Sequence, residues 1–115
     1  AWFRARMHDP ASHLYVLADA DGGPVAQVRF QDLDDGVSTE LSFSVAAEDR
    51  GKGYASPVLR MACAQLARDS DATLIVAHVK PESTASVHAF ERAGFTHRGT
   101  EYVRGHDAVT MTLRL

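Results

Sequence analysis

The hydrophobic pattern predicts a series of short β-strands, in which residues either alternate between apolar and polar or are continuously apolar. The segment 38–45 is rich in β-branched and aromatic residues and alternates, whereas 74–79 is an apolar run of common strand length. In chain order, the expected strands are Leu14–Ala18, Val25–Phe30, Ser38–Val45, Leu74–Val79, the segment around Glu101–Val103, and Val109–Leu115.

Two other segments carry apolar residues at helical spacing. The first helix is predicted to begin near Ala55, with an apolar stripe formed by Ala55, Val58, Leu59, Ala62 and Leu66. The second follows Pro81, where the hydroxyl of Ser83 or Thr84 can cap it. It presents Val87 and Phe90 on one face. Its end at Gly94 suits a left-handed cap, followed by a hydrophobic contact from Phe95.

This order of elements predicts an α/β (α+β) fold, in which helices flank a largely antiparallel sheet. The 115 residues suffice for one domain, 1–115, with a substantial core. The opening segment 1–7, which contains Trp2 and Phe3, is interpreted as the end of a helix. The C-terminal strand Val109–Leu115 is expected at an edge, where it would pair between the subunits of a homodimer.

Composition excludes several classes of function. The chain has 12 basic and 15 acidic residues, a net charge of −3, so no basic face indicates nucleic-acid binding. No apolar run is long enough to span a membrane, and no signal peptide opens the sequence. Cys63 is the lone cysteine, which favours a reducing cytoplasm and a small core residue over a nucleophile. The six histidines are dispersed, so no metal site is expected.

The loop 50–55 joins a predicted strand to a predicted helix and reads Arg-Gly-Lys-Gly-Tyr-Ala. Glycines let the backbone approach an anion closely, and the helix dipole and the basic side chains favour negative charge there. The loop is therefore predicted to bind phosphates. It lacks the Lys-Ser/Thr pair of a Walker A loop and the third glycine of a dinucleotide-binding fingerprint. The alternative interpretation is a turn that merely connects strand to helix.

Two motifs in this order resemble those of the GNAT superfamily of acetyl-CoA-dependent N-acetyltransferases. One is the loop 50–55, and the other is the run from Val79 to Phe95, in which a strand and a small-residue cap lead to a helix ending in Gly-Phe. The resemblance covers about residues 2–115. Members of the family usually begin with a strand and one or two helices that wall the acceptor site. Because 1–7 matches only the end of such a helix, this portion is expected to be truncated.

The resemblance implies acetyl-CoA as the acyl donor, without a metal. Its binding residues would be Phe43, Ser44, Val45, Arg50, Gly51, Lys52, Gly53, Tyr54, Ala55, Ser83, Ser86 and Phe90. Backbone N–H groups near 43–45 would hold the thioester carbonyl and the pantetheine by β-like pairing. The family's usual tyrosine acid aligns with Phe90, which has no proton to give, and its usual asparagine aligns with Ser83.

Catalysis requires a base, because an ammonium group cannot attack a thioester. Glu40 lies on the strand that leads to the loop, where many family members place this carboxylate; the alternative is a glutamate that merely faces solvent. Tyr102 and His88, together with Ser83 and Ser86, are candidates to protonate the leaving thiolate. His78 could transfer protons, but is more simply interpreted as a core or cleft histidine. Arg29 is a candidate substrate-binding residue.

Three functions stay open. The favoured one is a cytoplasmic N-acetyltransferase of a small-molecule amine, in particular an amino-sugar nucleotide. The segments 23–30 and 40–42, together with Trp2–Phe3 and Asp9–Pro10, resemble acetyltransferases of UDP-linked amino sugars from pseudaminic acid biosynthesis. The second is an acetyltransferase of protein N-termini or lysines. The third is a non-catalytic acyl-CoA-binding domain, which the missing tyrosine would suit.

Overall fold

The computed structural model describes residues 2–5, 11–18, 20–45 and 53–115, with only the backbone of 2–5. These residues form β-strands and α-helices with the following bounds: β1 (Trp2–Ala5), β2 (Ser12–Ala18), β3 (Pro24–Asp32), β4 (Ser38–Val45), α1 (Ala55–Asp69), β5 (Leu74–Val79), α2 (Thr84–Arg92), β6 (Thr96–Val103) and β7 (His106–Arg114).

The strands form one sheet in the order β1-β2-β3-β4-β5-β7-β6. Neighbouring strands are antiparallel, with the exception of β4 and β5, which run parallel. A parallel pair needs a crossover connection, and α1 provides it. The predicted α+β fold with a largely antiparallel sheet is therefore confirmed.

Two expectations about the ends of the chain are wrong. Trp2–Ala5 is a strand rather than the end of a helix, and it pairs antiparallel with Leu14–Leu17 of β2. The edge of β2 offers hydrogen-bond partners to this backbone, whereas a single helical turn has little stability of its own. The C-terminal strand β7 does not lie at an edge, because β5 flanks it on one side and β6 on the other. The proposed pairing of this strand between subunits is therefore excluded.

The core lies between the sheet and the two helices. The predicted stripe of α1 is buried at Val58, Leu59, Ala62 and Leu66, and Cys63 joins it with 3% of its surface exposed. Desolvation raises the pKa of the Cys63 thiol to about 12. Cys63 is thus a small core residue, because the reactive thiolate is strongly disfavoured at neutral pH.

The C-terminus of α2 has the predicted left-handed glycine. Gly94 has a φ of +100°. Its N–H donates to the carbonyl of Glu91, and the N–H of Phe95 donates to the carbonyl of Phe90, the two bonds of a Schellman motif. The rings of Phe90 and Phe95 then meet edge to face, with centroids 5.0 Å apart.

The N-terminus of α2 differs from the prediction. Ser83 occupies the N-cap position, but its hydroxyl makes no capping hydrogen bond to the backbone. Instead, Ser83 Oγ donates to Ser86 Oγ at 2.8 Å. The two hydroxyls therefore satisfy each other at the first turn of the helix, beside the cleft described next.

Candidate active site

The sheet forks between β4 and β5. Their parallel pairing extends only over Ser38–Leu41 and Leu74–Ala77. Beyond Leu41, β4 continues to Val45 and remains paired with β3 on its other edge. Along 42–44, the edge of β4 that faces β5 therefore offers backbone N–H and C=O groups to a ligand. The fork opens a cleft in the middle of the sheet.

Two cavities occupy this cleft and share Phe43 and Ser86. The polar cavity has a volume of about 350 Å³ and is lined by Glu40, Leu41, Ser42, Phe43, His78, Val79, Lys80, Ser83, Ser86, Phe90 and Arg104. The apolar cavity has a volume of about 600 Å³ and is lined by Phe43, Ser44, Val45, Gly53, Tyr54, Ala55, Ala85, Ser86, Ala89 and Arg92. Because they meet at shared residues, one elongated ligand can extend from the apolar cavity into the polar one.

A chain of charged groups crosses the polar cavity. Arg104 Nη2 donates to Glu40 Oε1 at 2.7 Å, and Glu40 Oε2 lies 2.9 Å from His78 Nδ1. The other ring nitrogen, His78 Nε2, lies 2.7 Å from Glu101 Oε1. Both ring nitrogens can donate at the same time only in the imidazolium form. In that form, two cations hold the Glu40 carboxylate from two sides.

Sheet register explains how these residues come together. Glu40 pairs with Val76 on β5, so His78, two residues further on, projects from the same face of the sheet. Glu101 pairs with Ala108 at the outer edge and reaches His78 across β7. Arg104 lies in the tight turn between β6 and β7, which carries it over the cavity.

Arg104 adopts an uncommon backbone conformation. Arg104 has a φ of +50°, and Gly105 after it has a φ of +86°. Two consecutive residues with positive φ are typical of the two-residue turns that connect the strands of a β-hairpin. A residue with a side chain in this left-handed region costs about 1–2 kcal/mol relative to glycine. The turn thus accepts backbone strain at the residue whose guanidinium reaches Glu40.

The charges around Glu40 set its ionisation. Partial burial has the largest single effect and acts to raise the pKa of Glu40, but hydrogen bonds from Arg104 and then His78, with the attraction of both charges, outweigh it and lower this pKa below its ordinary value. The hydrogen bond from His78 likewise lowers the pKa of Glu101. Glu40 is therefore a carboxylate at neutral pH, able to bind an ammonium group and to accept its proton.

Most residues predicted to bind the cofactor line the cleft. Phe43, Ser44, Val45, Gly53, Tyr54, Ala55 and Ser86 line the apolar cavity, and Ser83 and Phe90 line the polar one. Gly53 has a φ of +79°, which suits glycine at the entry to α1. Arg50, Gly51 and Lys52 lie outside the described residues, so their phosphate-binding role stays a prediction.

Three predicted residues do not line either cavity. His88 is exposed on α2, and Tyr102 is exposed on β6. Arg29 is exposed on β3, where it pairs with Ser42. The geometry thus gives no support to His88 or Tyr102 as the acid. Arg29 lies on the face that also carries Ser42, but outside the cavities.

Sequence reasoning missed His78, Glu101 and Arg104 as parts of one cluster. The pattern located the strands correctly but did not reveal their neighbours in the sheet. A parallel alignment of β4 with β5 would have placed His78 beside Glu40. For Glu101 and Arg104, the sequence holds no comparable signal, because their contacts cross β7 and depend on the hairpin turn.

In 2–5, 11–18, 20–45 and 53–115, no helix is both long and apolar enough to cross a membrane. Within the same residues, no group of three or more His, Cys, Asp or Glu side chains is arranged to hold a metal ion.

Comparison with known proteins identifies the class to which this cleft belongs. The sequence model of the acetyltransferase (GNAT) family matches residues 1–95, and the chain belongs to this family. It is an acetyl-CoA-dependent N-acetyltransferase with the α+β fold of that family. No curated protein sequence matches the chain.

Solved acetyltransferases share the fold. Mutant forms of the spermidine/spermine N-acetyltransferase SpeG from Vibrio cholerae are 25% identical, with a TM-score of 0.81 over 93% of this chain and 69% of theirs. A chimera of the Vibrio cholerae SpeG and hSSAT gives the same identity and TM-score over 93% and 71%. The aminoglycoside acetyltransferase AAC(6')-Ib, in complex with coenzyme A and kanamycin, is 21% identical, with a TM-score of 0.77 over 90% and 67%. The comparisons do not support the narrower resemblance to enzymes of UDP-linked amino sugars.

Proposed function

We propose that this protein transfers the acetyl group of acetyl-CoA to a primary amine of a small molecule, with Glu40 as the base. The observation that carries this proposal is the position of Glu40. Its carboxylate lines the polar cavity, which meets the apolar cavity at Phe43 and Ser86. An amine bound to Glu40 would therefore approach a thioester that enters from the apolar side.

In this proposal, the acyl donor binds between the diverging strands β4 and β5. Acetyl-CoA supplies an activated thioester carbonyl that an amine can attack. The edge of β4 along 42–44 would hydrogen-bond the amide groups of its pantetheine arm, and backbone N–H groups there would stabilise the oxygen that becomes negative. The loop 50–55 would hold the diphosphate. The donor is thereby directed towards Glu40.

Glu40 has two tasks at the acceptor end. An alkyl ammonium has a pKa near ~10.4, so at neutral pH the acceptor arrives protonated and binds the carboxylate as a cation. Glu40 then takes up the proton, and the freed lone pair attacks. Because the lowered pKa of Glu40 makes it a weak base, the displacement of Arg104 by the incoming cation would strengthen it at the right moment.

The departing thiolate needs little help. A thiol has a pKa near ~8.5, so it leaves without full protonation. Phe90 lines the cavity and donates no proton. Ser86 lines both cavities and Ser83 lines the polar one, and we assign their paired hydroxyls a supporting role.

Release of free thiol from acetyl-CoA in the presence of amines tests this proposal. The panel holds spermidine, kanamycin, a UDP-linked 4-amino sugar and a lysine peptide, because small-molecule and protein acceptors are both open. We expect thiol release with at least one small amine. Cys63 is the only cysteine of the chain and is buried, so the folded protein adds no signal of its own. Binding of coenzyme A without thiol release from any amine would favour a non-catalytic acyl-CoA-binding domain. Release with the lysine peptide alone would favour a protein acetyltransferase.

A further inference from the structure

The polar cavity carries more positive than negative charge. Its charged and titratable lining residues are Glu40, His78, Lys80 and Arg104, so one carboxylate faces two permanent cations and one histidine. Glu101 approaches this group only through His78 and does not line the cavity. Such a lining is unfavourable for a molecule with several ammonium groups, since only Glu40 offers a negative partner.

Glu40 already has a cationic partner in the structure. The guanidinium of Arg104 donates to Glu40 Oε1 at 2.7 Å and so stands where the ammonium group of an acceptor would bind. The Arg104 side chain is 72% exposed, and ion pairs with an exposed partner contribute little to stability. An incoming ammonium group can therefore replace Arg104 at low cost.

Replacement frees Arg104 for a new partner. Lys80, also exposed at the cavity, forms no ion pair with another of the described residues. The displaced guanidinium and the Lys80 ammonium together suit a carboxylate or phosphate, which guanidinium groups bind through two parallel hydrogen bonds. An acceptor with its own anionic group would thus exchange one ion pair for two.

We infer that the acceptor carries a carboxylate or phosphate group besides its amine, and that Arg104 and Lys80 bind this group while the amine occupies Glu40. This inference rests on the proposed function and adds the substrate class to it. The inference depends on the exchange of partners at Glu40. This exchange favours a zwitterionic amine over a neutral or polycationic amine of similar size.

A matched set of small amines tests the inference. The set is ethanolamine, O-phosphoethanolamine, β-alanine and 1,3-diaminopropane, which differ mainly in the group opposite the amine. With the intact protein and acetyl-CoA, we expect kcat/KM for O-phosphoethanolamine or β-alanine to exceed that for ethanolamine roughly tenfold, as charge-assisted hydrogen bonds allow, and 1,3-diaminopropane to be the poorest acceptor. The two anionic members tell a phosphate preference from a carboxylate preference.

Two charge variants identify the binding residues. Lys80→Gln should raise KM for the better anionic amine by a larger factor than KM for ethanolamine. Arg104→Gln should also raise this KM, but should lower KM for ethanolamine, because it removes the cation that competes for Glu40. Arg68→Gln, which changes an exposed arginine in the last turn of α1, is the control and should alter neither.

Four results would overturn the inference. Equal kcat/KM for ethanolamine and both anionic amines would remove it while leaving the proposed function intact, and so would a preference for the diamine. Equal effects of Arg104→Gln on neutral and anionic acceptors would assign Arg104 a merely structural role and contradict it. No thiol release from these four amines or from the wider panel would reject the proposed function, and the inference with it.

Discussion

At the scale of single residues, the site depends on what holds Glu40. Its carboxylate accepts from Arg104 and lies beside His78, and against the opposing effect of burial these two neighbours lower the pKa of Glu40. Arg104 adopts a strained φ of +50° to reach it. A carboxylate so paired protonates reluctantly, so its basicity depends on whether the acceptor replaces Arg104.

Replacing this carboxylate should separate proton uptake from binding. We expect Glu40→Gln to lower kcat at pH 7 by about 10²-fold, a typical value for loss of a general base. The deficit should shrink as the pH approaches the acceptor's own pKa, near ~10.4, where free amine is abundant. Thiol release measured from pH 6 to 10 gives this profile. Glu91→Gln, on the exposed surface of α2, is the control and should leave the profile unchanged. An equal deficit at every pH would show that Glu40 is not the base.

The lowered pKa of Glu40 also makes the stability of the protein depend on pH. Because the folded protein lowers the pKa of Glu40, the ionised carboxylate contributes stability above its ordinary value of 4.5. That contribution is lost as the pH falls through the lower, folded value. Urea unfolding of wild type and Glu40→Gln should therefore differ more at pH 6 than at pH 3.

At the scale of elements, α2 links the core to the cleft. Its end is fixed by Gly94 and the Phe90–Phe95 contact, while its first turn places Ser83 and Ser86 beside the polar cavity. Phe90 contacts both the core and the cleft: its side chain is buried, with 6% exposure, and it also lines the polar cavity. A change at the C-terminus of the helix therefore tests how firmly the cleft wall is held.

A side chain at Gly94 should loosen α2. We expect Gly94→Ala to lower the free energy of unfolding by about 1–2 kcal/mol, the cost of a side chain at positive φ. The added Cβ would lie 3.6 Å from Leu113 Cδ1, an ordinary contact, so the cost comes from the backbone rather than from a clash. Gly94→Asn should cost less, because asparagine tolerates this conformation. Urea denaturation measures both, and equal losses would contradict the explanation.

The sequence was informative about elements and less so about contacts between them. Alternation located the strands at 38–45 and 74–79, and the glycine at 94 marked the end of α2, because these signals are local. The prediction of a helix at Trp2–Ala5 failed, because pairing with β2 determines the structure there. The prediction of an edge strand at Val109–Leu115 failed, because this strand lies inside the sheet. The Arg104–Glu40–His78–Glu101 cluster was missed for the same reason, since its members come from separate strands and a turn.

At the scale of the whole molecule, the cleft is a property of the sheet. Ser38–Leu41 and Leu74–Ala77 join the antiparallel strands β1–β4 to the group formed by β5, β7 and β6. Both cavities lie where this junction ends, and α2 closes them from one side. Assignment of the apolar cavity to the acyl donor can be tested without any knowledge of the acceptor.

A bulky side chain in the apolar cavity should block the donor. Ala85 lines this cavity and is exposed, so Ala85→Trp should fold normally and weaken coenzyme A binding at least roughly tenfold, a change of about 1.4 kcal/mol. Thr84→Trp is the matched control, because Thr84 is the exposed neighbour on α2 and lines neither cavity. Titration calorimetry measures both affinities, with circular dichroism as the check on folding. Unchanged affinity in Ala85→Trp would place the donor elsewhere.

The short junction between β4 and β5 also bears on the rigidity of the sheet. Four residues of each strand connect the two leaves of the sheet, and beyond them the leaves diverge. A ligand whose amides hydrogen-bond to 42–44 would bridge the gap between the two strands. Binding of the donor would then hold the two parts of the sheet together more firmly, and amide hydrogens of 42–44 would exchange with solvent more slowly as the ligand is added.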